Sequence, residues 1–467
     1  MTTSAIGRGF GVYLRPRLLL ILALGFASGL PLLLTSSTLT IRLREAGVDL
    51  GAIGAFSLVG IPYSLKFLWA PLLDRLPLPG FTARFGRRRG WMLAIHLALM
   101  AAIAALGMID PATGGVLVIA GIALIVAFLS ATQDIVIDAY RIEVLKNEEF
   151  GAGAAMAIYG FRCGMLMATV GTLYLADWFN WELAYIVTSA TLVIGIAAIL
   201  VAPEPEGAPP LRAPETLSGL MTDAYWAPLK EFMTRDGWLV LLLFVLFFKF
   251  GDALLSQMTG ALYVDLGFAK STIAKVGKLY GFIAVMVGTF LGGLGVVYFG
   301  LGRTLLIAGV LQAISNIGFW VLAGLGALTG QEGPADIEMR IETLAWVVGF
   351  ENFATGLGQT AFVAFLMTLC DRRYTAAQFA LLTSIVAFSP KVLVAPVGFL
   401  PDAVGWETFC LLTSFAAIPG MLLLLWLLRS LRPVLLILLP RPAQRPHQQH
   451  FQILHGSQLA IRDTMIM

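Results

Sequence analysis

Twelve stretches of about twenty apolar residues follow one another along this chain, and no other feature of the sequence restricts the fold as strongly. Each stretch is long enough to cross the hydrocarbon core of a bilayer as a helix. The charged share is 13%, whereas a soluble protein carries about 25%. The sequence therefore predicts an all-α membrane protein with twelve spans, near residues 18–41, 51–73, 90–109, 115–141, 153–176, 182–202, 237–263, 271–299, 303–329, 341–369, 376–400 and 405–430.

Lysine and arginine residues are distributed unequally between the loops on the two sides of these spans. Most of them lie on the side that holds both termini, and the opposite side holds only Arg42, Arg44, Lys270 and Arg340. Short loops rich in these residues stay in the cytoplasm. We therefore expect both termini to be cytoplasmic, which also requires an even number of spans.

An internal repeat divides the spans into two sets of six. The sequence LADWFNWE at 175–182 returns as LPDAVGWE at 400–407, and Thr-Ser at 188–189 returns at 413–414. Two six-span halves in the same direction are the architecture of the major facilitator superfamily, in which substrate binds between the halves. The predicted domains are an N-terminal six-helix bundle, a cytoplasmic linker, a C-terminal six-helix bundle and a disordered cytoplasmic tail, at 1–202, 203–236, 237–430 and 431–467.

The fourth span ends in the polar sequence SATQDIVIDAYR, residues 130–141. Asp134, Asp138 and Arg141 are spaced i, i+4 and i+7, so they share one face of a helix. A charge at the bilayer centre costs about 2.5–3.5 kcal/mol on insertion scales. We interpret this face as part of a water-accessible transport pathway. The alternative is that the helix ends here and these groups are hydrated at the interface.

Further charged residues occur inside the other predicted spans. Lys249 and Asp252 are spaced i, i+3 and can neutralise each other, and Lys275 is close enough to a helix end to reach the interface. Lys66, Arg162 and Lys391 have no local partner. They either pair across helices with Asp134, Asp138 or Glu351, or bind an anionic substrate.

The loop between the second and third spans, PLLDRLPLPGFTARFGRRRGW, resembles the signature cytoplasmic loop of the same superfamily. The resemblance implies that this loop forms a gate. We also assign Arg141 to the gate, because it ends the charged face of the fourth span. The gating residues are then Asp74, Arg75, Gly86, Arg87, Arg88 and Arg141. The alternative is that the arginines only anchor the loop in the cytoplasm. In the first span, Gly25, Gly29 and Pro31 predict either close helix packing or a helix break beside a polar Thr-Ser run.

Several longer blocks resemble the AmpG family of muropeptide permeases of Gram-negative bacteria. They are SGLP, FSLVGIPYSLKFLWAPLLDR, FGRRRGW, ATQDIVIDAYRIEVL and EEFGAGAAMAIYGFRCGM. The resemblance implies import of N-acetylglucosaminyl-1,6-anhydro-N-acetylmuramyl peptides across the inner membrane, driven by protons, for peptidoglycan recycling and β-lactamase induction. The family's helix 1 glycine and its Ala-x-Gln-Asp element correspond to Gly29 and residues 131–134. Related branches carry acetyl-CoA.

Muropeptides carry sugar hydroxyls and peptide carboxylates, so polar side chains and cations are the candidate substrate-binding residues. These are Gly29, Thr38, Lys66, Gln133, Arg162, Asn352, Gln359 and Lys391. Proton coupling needs a carboxylate whose proton affinity rises on desolvation and falls when a cation approaches. The candidates are Asp134, Asp138 and Glu351.

We expect the partners to be the substrate, protons and the lipid bilayer, and we expect a monomer without cofactor, metal or nucleic acid. Another carrier of the same fold, for acetyl-CoA or a drug, is the nearest alternative. A membrane-embedded enzyme is disfavoured, because the spans contain a single histidine and no clustered nucleophile or metal site.

Overall fold

The chain forms twelve long helices in the part that the structure describes. This computed structural model describes residues 11–111, 115–205, 222–328, 333–393 and 399–430, without the side chains of residues 223, 388–393 and 430. The helices are α1 Pro16–Glu45, α2 Leu50–Leu68, α3 Arg87–Met108, α4 Val116–Val144, α5 Asn147–Trp178, α6 Trp181–Val201, α7 Trp238–Asp265, α8 Lys270–Phe299, α9 Leu301–Gly324, α10 Pro334–Thr368, α11 Thr375–Leu393 and α12 Trp406–Arg429. All except α10 and α11 are long and apolar enough to span a membrane by themselves. The predicted all-α membrane fold is confirmed.

Several helices differ from their predicted bounds by a few residues, and for α10 and α2 the structure shows the cause. α10 begins at Pro334 instead of residue 341, because a proline fits the first turn of a helix and the polar residues after it continue that helix. α2 ends at Leu68, and a separate short helix, Ala70–Arg75, contains the rest of the predicted span. The linker contains the short helix Ala227–Met233, whereas residues 206–221 of the linker and the tail at 431–467 lie outside the described residues.

The interruption of α1 lies one turn later than the Gly-Leu-Pro sequence predicts. The helix Pro16–Leu34 continues through Pro31, and the break falls at Thr35 and Ser36. The carbonyl of Pro31 accepts hydrogen bonds from both the backbone N–H and the hydroxyl of Thr35. The break therefore follows from the hydroxyl residues, which offer the backbone an alternative partner at this point.

Helix breaks repeat between the two sets of six helices, which we call the first half (α1–α6) and the second half (α7–α12). α6 is interrupted between Ala190 and Val193, and α12 between Phe415 and Ile418. These positions have the same spacing as the repeated sequences at 175 and 400. The sequence repeat therefore corresponds to a structural one, while the domain limits at 202, 237 and 430 stay a prediction.

A tryptophan contact also repeats. The indole N–H of Trp181 donates to the Glu45 carboxylate at 2.8 Å, and that of Trp406 donates to Asp265 at 2.9 Å. In each half this bond joins the start of the last helix to the end of the first. We call these two bonds the tryptophan clasps.

Glycines bring helices of the same half into backbone contact. A Cβ atom added at Gly29 of α1 would lie 2.0 Å from the carbonyl oxygen of Phe161 of α5. In the second half, a Cβ atom at Gly288 of α8 would lie equally close to the carbonyl oxygen of Phe353 of α10. Such close approach leaves no room for a side chain. The sequence allows either close helix packing or a helix break at Gly29, and its contact with Phe161 fits close packing.

The halves contact each other towards one end of the bundle. We call it the basic end, because Arg75, Arg88 and Arg372 contact the other half there. α2 and α4 pack against α11, and α5 packs against α8. The hydroxyl of Tyr159 in α5 donates to the carbonyl oxygen of Met286 in α8 at 2.6 Å.

We call the other end of the bundle, where the tryptophan clasps lie, the opposite end. Towards it, α5 and α8 each contain a π-helical turn, at Met167–Gly171 and Ile273–Tyr280. Arg42 is buried there and donates to the carbonyl oxygens of Leu106 and Gly107 in the last turn of α3. Its charge therefore stabilises a helix C-terminus, where carbonyl groups lack intrahelical partners.

Candidate functional site

A buried network of charges occupies the basic end. The guanidinium of Arg88 donates to the carboxylates of Asp74 and Glu143, each at 2.5 Å, and Arg87 donates to Glu143 at 3.2 Å. All four side chains are at most 6% exposed. Buried charges are tolerated when they are paired and hydrogen-bonded. The network satisfies both conditions through charges from three separate segments of the first half.

This network reaches the second half at the start of α11. The carboxylate of Asp74 accepts hydrogen bonds from the backbone N–H groups of Ala376 and Ala377 at 3.3 and 3.0 Å. The hydroxyl of Thr375 donates to Glu143 and accepts from Arg88 at 2.8 Å. A carboxylate at a helix N-terminus is stabilised by the free N–H groups and by the helix dipole. We call Asp74, Arg87, Arg88, Glu143 and Thr375 the latch.

The N-terminus of α3 carries a second carboxylate. Glu204, which follows α6, accepts hydrogen bonds from the backbone N–H groups of Arg88 and Arg89 at 2.8 and 3.1 Å. Gly86 precedes α3 with φ of 91°, and a Cβ atom there would lie 2.5 Å from the Glu204 carboxyl carbon. Gly86 thus has a conformational and a steric reason to be glycine, and it lets Glu204 hold the helix that carries the latch arginines.

Two further predicted gating residues contact aromatic rings of the second half. The Arg75 guanidinium lies 5.5 Å from the ring centre of Tyr374. Arg141 binds the Asp138 carboxylate at 2.9 Å and lies 5.6 Å from the ring centre of Phe379. Cations stack favourably on aromatic faces at such distances. All six predicted gating residues therefore lie in or beside the contact between the halves.

The loop before α11 is held by its own ion pair. Arg373 donates to the Asp371 carboxylate from its side chain at 2.9 Å and from its backbone at 2.8 Å. These hydrogen bonds hold the pKa of the Asp371 carboxyl below its ordinary value. The backbone of Asp371 in turn donates to Gln378, whose amide bonds to the carbonyl oxygen of Pro228 in the linker helix.

Asp134 forms a first cluster inside the first half, which we call the Asp134 cluster. Its half-buried carboxylate accepts a hydrogen bond from the Ser28 hydroxyl of α1 at 2.5 Å. Lys66 of α2 is close enough to interact with this carboxylate electrostatically, and its ammonium makes no hydrogen bond within the described part of the chain. No ion pair joins Lys66 to Asp134 among the described residues, so the predicted pairing of Lys66 stays a prediction.

The Glu351 cluster lies mainly in the second half. The Lys249 ammonium is 3.8 Å from the Asp252 carboxylate, which also accepts a hydrogen bond from Gln312 of α9. The Glu351 carboxylate accepts hydrogen bonds from Asn352 at 2.8 Å and from Thr355 at 3.3 Å. Lys249 interacts electrostatically with both carboxylates. The pairing of Lys249 with Asp252 that the sequence allows is present, although the contact is long.

Arg162 of α5 lies in the first half and is half-buried. Its guanidinium has no hydrogen-bond or ion-pair partner among the described residues. Gln359 of α10 is likewise half-buried without a hydrogen-bond partner in those ranges, and the side chain of Lys391 lies outside the described residues.

Three predicted substrate-binding residues lie inside the first half. The Gln133 amide is fully buried and bonds to the ring of His96 in α3 at 3.0 Å. Thr38 is buried and donates to the carbonyl oxygen of Ala168 at 2.8 Å. Gly29 packs on the backbone of Phe161, as described above. The Gln133 amide oxygen has no hydrogen-bond partner among the described residues, and the substrate contacts of all three residues stay a prediction.

The sequence did not identify Glu143, Thr375 and Glu204 as functional residues. Glu143 lies two residues beyond Arg141 near the end of α4, and it binds both latch arginines. Its spacing from Asp134 could have signalled a second acidic group at the helix end. Glu204 lies in a Pro-rich segment without periodicity, so its contact with α3 had no local signal. Within the described ranges, no three His, Cys, Asp or Glu side chains are grouped to hold a metal ion.

Comparisons with known proteins find relatives of this chain that are named as transporters or permeases. The family model described as acetyl-coenzyme A transporter 1 matches residues 17–186. The anhydromuropeptide permease of Escherichia coli K12 is 43% identical over 418 residues, covering 89% of this chain and 80% of that protein. A Rickettsia felis protein with the AmpG transporter name is 32% identical over 88% of this chain and 96% of its own length.

A solved structure with the same fold is the proton:xylose symporter XylE of the major facilitator superfamily, bound to 6-bromo-6-deoxy-D-glucose. It superimposes with a TM-score of 0.60 over 90% of this chain and 96% of the other, at 13% sequence identity. At that identity the likeness concerns the fold alone. It confirms the predicted major facilitator architecture.

Proposed function

This chain belongs to the AmpG family of anhydromuropeptide permeases, and we propose that it imports anhydromuropeptides across the bacterial inner membrane by symport with protons. It is a multi-pass membrane carrier of the major facilitator fold and not an enzyme. Family membership is the observation that supports this substrate. In this proposal the carrier works as a monomer, and both termini and the basic end lie in the cytoplasm.

The latch supports a mechanism of alternating access. Substrate would enter the space between the halves, which we call the cleft, while the latch holds the basic end closed. Movement of the halves would then break the bonds of Asp74 and Glu143 to α11 and open the cleft to the cytoplasm. The latch charges stay paired within the first half during this step, because Arg88 binds both carboxylates there. The charges are therefore not left alone when the halves separate.

Substrate binding is proposed for polar residues of α2, α5, α10 and α11. Lys66, Arg162 and Lys391 would bind peptide carboxylates, and Asn352 and Gln359 would bind sugar hydroxyls. The open hydrogen-bonding capacity of Arg162 and Gln359 in the described part of the chain supports this assignment. Their half-buried positions are typical of groups that bind a polar ligand in a partly dry site.

Proton coupling is proposed for Asp134, with Glu351 and Asp138 as the next candidates. When Asp134 releases its proton, two neighbouring groups can stabilise the carboxylate. The Ser28 hydroxyl donates a hydrogen bond to it, and the Lys66 ammonium lies nearby. Asp138 is already bound to Arg141 at 2.9 Å. A carboxylate with a movable cation beside it suits coupling better than one in a fixed ion pair.

Uptake by the full-length protein in proteoliposomes tests this proposal. Labelled anhydromuropeptide should accumulate when the outside is more acidic, and an uncoupler should abolish the accumulation. Asp134→Asn should lose concentrative uptake and keep exchange of substrate, whereas Asp402→Asn, at an exposed position of the short helix Leu400–Val404, should behave like the wild type. Full concentrative uptake by Asp134→Asn would remove the coupling assignment.

The role in β-lactamase induction is tested in cells. We propose that the imported muropeptides supply the inducing signal. Expression of the wild-type chain in a strain that lacks its own permease should restore induction of AmpC β-lactamase, and Asp134→Asn should not. Equal restoration by the wild type and by Asp134→Asn would show that induction does not depend on concentrative import.

Acetyl-CoA transport is the second candidate function. The match of residues 17–186 to the acetyl-coenzyme A transporter model favours it, although it covers the first half only. Labelled acetyl-CoA in the same proteoliposomes distinguishes the two. Its accumulation in place of anhydromuropeptide would replace the substrate proposed above.

A further inference from the structure

We propose that the carboxylate of Asp252, the amide oxygens of Gln312 and Asn316, and the carbonyl oxygen of Thr413 bind one monovalent metal cation. We call these four residues the cation site. They come from α7, α9 and α12, so the site lies inside the second half. The inference goes beyond the proposed function, because it adds an ion other than the proton and does not depend on which substrate is carried. It also differs from the sequence-based expectation of a chain without a metal.

Two buried amides of α9 leave their oxygen atoms without a hydrogen-bond donor. The Gln312 amide donates to the Asp252 carboxylate, and the Asn316 amide donates to the carbonyl oxygen of Thr413 at 3.3 Å. Both amide residues are at most 3% exposed, yet neither amide oxygen accepts a hydrogen bond among the described residues. A buried acceptor without a donor destabilises the folded protein. A bound cation would satisfy both oxygens, because hard cations take oxygen ligands of this kind.

The four residues are joined by a closed circuit of contacts. Asn316 follows Gln312 by four residues, so both amides lie on the same face of α9. Asp252 bonds to the first amide, and Thr413 bonds to the second. α7 and α12 also touch, because a Cβ atom at Gly251 would lie only 2.8 Å from the carbonyl oxygen of Thr413. The carboxylate, the two amides and the carbonyl therefore border one shared region inside the second half.

Asp252 has one carboxylate oxygen that no protein donor uses. The residue lies in the first turn after a break in α7, which separates the helical segments Trp238–Phe247 and Phe250–Asp265. The Gln312 amide and the Lys249 ammonium both approach its Oδ2 atom, the ammonium at 3.8 Å, while Oδ1 accepts no hydrogen bond within the described ranges. The Asp252 side chain is 16% exposed, so an ion can reach it.

The carbonyl of Thr413 lies at a second helix break. It belongs to the last turn before the interruption of α12. In a continuous helix the N–H of Ala417 would bond to this carbonyl, but it donates to the carbonyl oxygen of Ser414 at 3.3 Å instead. The C-terminal end of a helical segment carries partial negative charge. Carbonyls at such interruptions coordinate monovalent cations in secondary transporters.

The charges around the site determine the valence of the ion. Lys249 interacts electrostatically with the carboxylates of both Asp252 and Glu351. Two negative charges therefore face one positive charge when both carboxylates are ionised. A single monovalent cation balances them, whereas a divalent ion would leave an excess of positive charge in a partly buried region, which is costly.

Binding of the ion alone tests the site, without any muropeptide. Full-length protein in detergent is titrated with radioactive Na⁺ in a choline chloride buffer, and a parallel series uses K⁺. Saturable binding of either ion, at one per chain, meets the proposal. Because a ligand that binds only the folded state stabilises it, the unfolding temperature should also rise, on the order of 2–4 °C for each tenfold increase in ion concentration above the dissociation constant.

Variants of similar size locate the ion. Asp252→Asn and Asn316→Leu each remove one ligand, and each should weaken binding by about tenfold or more, as the loss of one charge-assisted contact predicts. Asp402→Asn and Gln257→Leu change the same kinds of group at exposed positions and should match the wild type. A cooperative unfolding transition in choline chloride shows that a variant is folded. If Asn316→Leu does not fold, Asp252→Asn decides the test.

Other results would contradict the cation site. If the folded wild type binds neither Na⁺ nor K⁺, the inference is wrong, and water alone meets the two amide oxygens. Binding that remains unchanged in Asp252→Asn places the ion elsewhere in the protein and also overturns the assignment. The proposed function is judged separately, since loss of anhydromuropeptide uptake would refute it and leave a measured ion at this site unaffected.

Discussion

Thr375→Val should weaken the latch without leaving a charge unpaired. Valine has nearly the shape of threonine, and the substitution removes only the hydroxyl that accepts from Arg88 and donates to Glu143. Those two groups remain bound to each other at 2.5 Å. The variant therefore changes the bonds between the halves and spares the ion pairs within the first half.

The size of the effect follows from these two bonds. A hydrogen bond to a charged group contributes about 1.5–3 kcal/mol net. Because Arg88 and Glu143 keep each other as partners, we expect the loss of both bonds to cost about that amount in total. At about 1.4 kcal/mol per tenfold change, the equilibrium between closed and open basic ends should shift roughly 10- to 150-fold towards the open state.

Distances between spin labels at the basic end measure this shift. Ala83 and Arg303 are exposed there on opposite halves and can be replaced by labelled cysteines once Cys163 and Cys370 are changed to serine. The long-distance population should rise in Thr375→Val. Thr304→Val is the matched control, because Thr304 is buried and its hydroxyl donates to the carbonyl oxygen of Gly300 in the same half. An identical distribution in both variants would refute the assignment of Thr375 to the latch.

Three further predictions concern stability and are checked by thermal unfolding of the protein in detergent. Gly29→Ala should lower stability by about 1–3 kcal/mol, since its Cβ would overlap the backbone of α5, whereas Gly121→Ala, with open space around it, should change little. Glu204→Ala should cost about 0.5–2 kcal/mol as the loss of a helix cap and should also raise the long-distance population of the labels at the basic end. Trp181→Phe and Trp406→Phe should each cost about 0.5–1.5 kcal/mol, and a loss in one alone would contradict the equivalence of the tryptophan clasps.

The parts of the fold that the sequence predicted are those with a local physical cause. The length of each apolar stretch gave the spans, because a bilayer fixes how many residues a helix needs to cross it. The repeat was visible in residues 175–182 and 400–407, since Trp181 and Trp406 make the same contact in both halves. The Gly-Arg cluster was assigned to a gate through the resemblance of its loop to the signature loop of the superfamily, and not through a local physical cause.

The direction of individual side chains was not predictable in this way. Gln133 and Asp134 are neighbours in sequence, and a helix turns by about 100° between them. As a result, Gln133 bonds to His96 inside the first half, while Asp134 bonds to Ser28 of α1. Which of the two faces the cleft depends on how α4 is rotated against its neighbours. That rotation is set by packing between distant segments.

The same limit explains the missed members of the latch. Thr375 looks like an ordinary first residue of a helix in the sequence, and its role depends on Asp74 of the short helix Ala70–Arg75 and Glu143 of α4, which the fold brings to the start of α11. Glu204 acquires its role only because Gly86, more than a hundred residues earlier, leaves space for its carboxylate. Contacts of this kind join segments that no short sequence window contains.

The two halves share a scaffold but differ in the charges that they place on it. Gln133 of α4 bonds to His96 of α3, and Gly358 of α10 packs on Gln312 of α9. The residue after Gln133 is Asp134, and the residue after Gly358 is Gln359. A repeated scaffold lets the halves move as similar bodies, whereas symport needs proton and substrate to act on different groups. The retained helix breaks and clasps belong to the shared scaffold, whereas the charges differ: the first half carries the proposed proton-binding Asp134, and the second half carries Lys249 with Asp252 and Glu351.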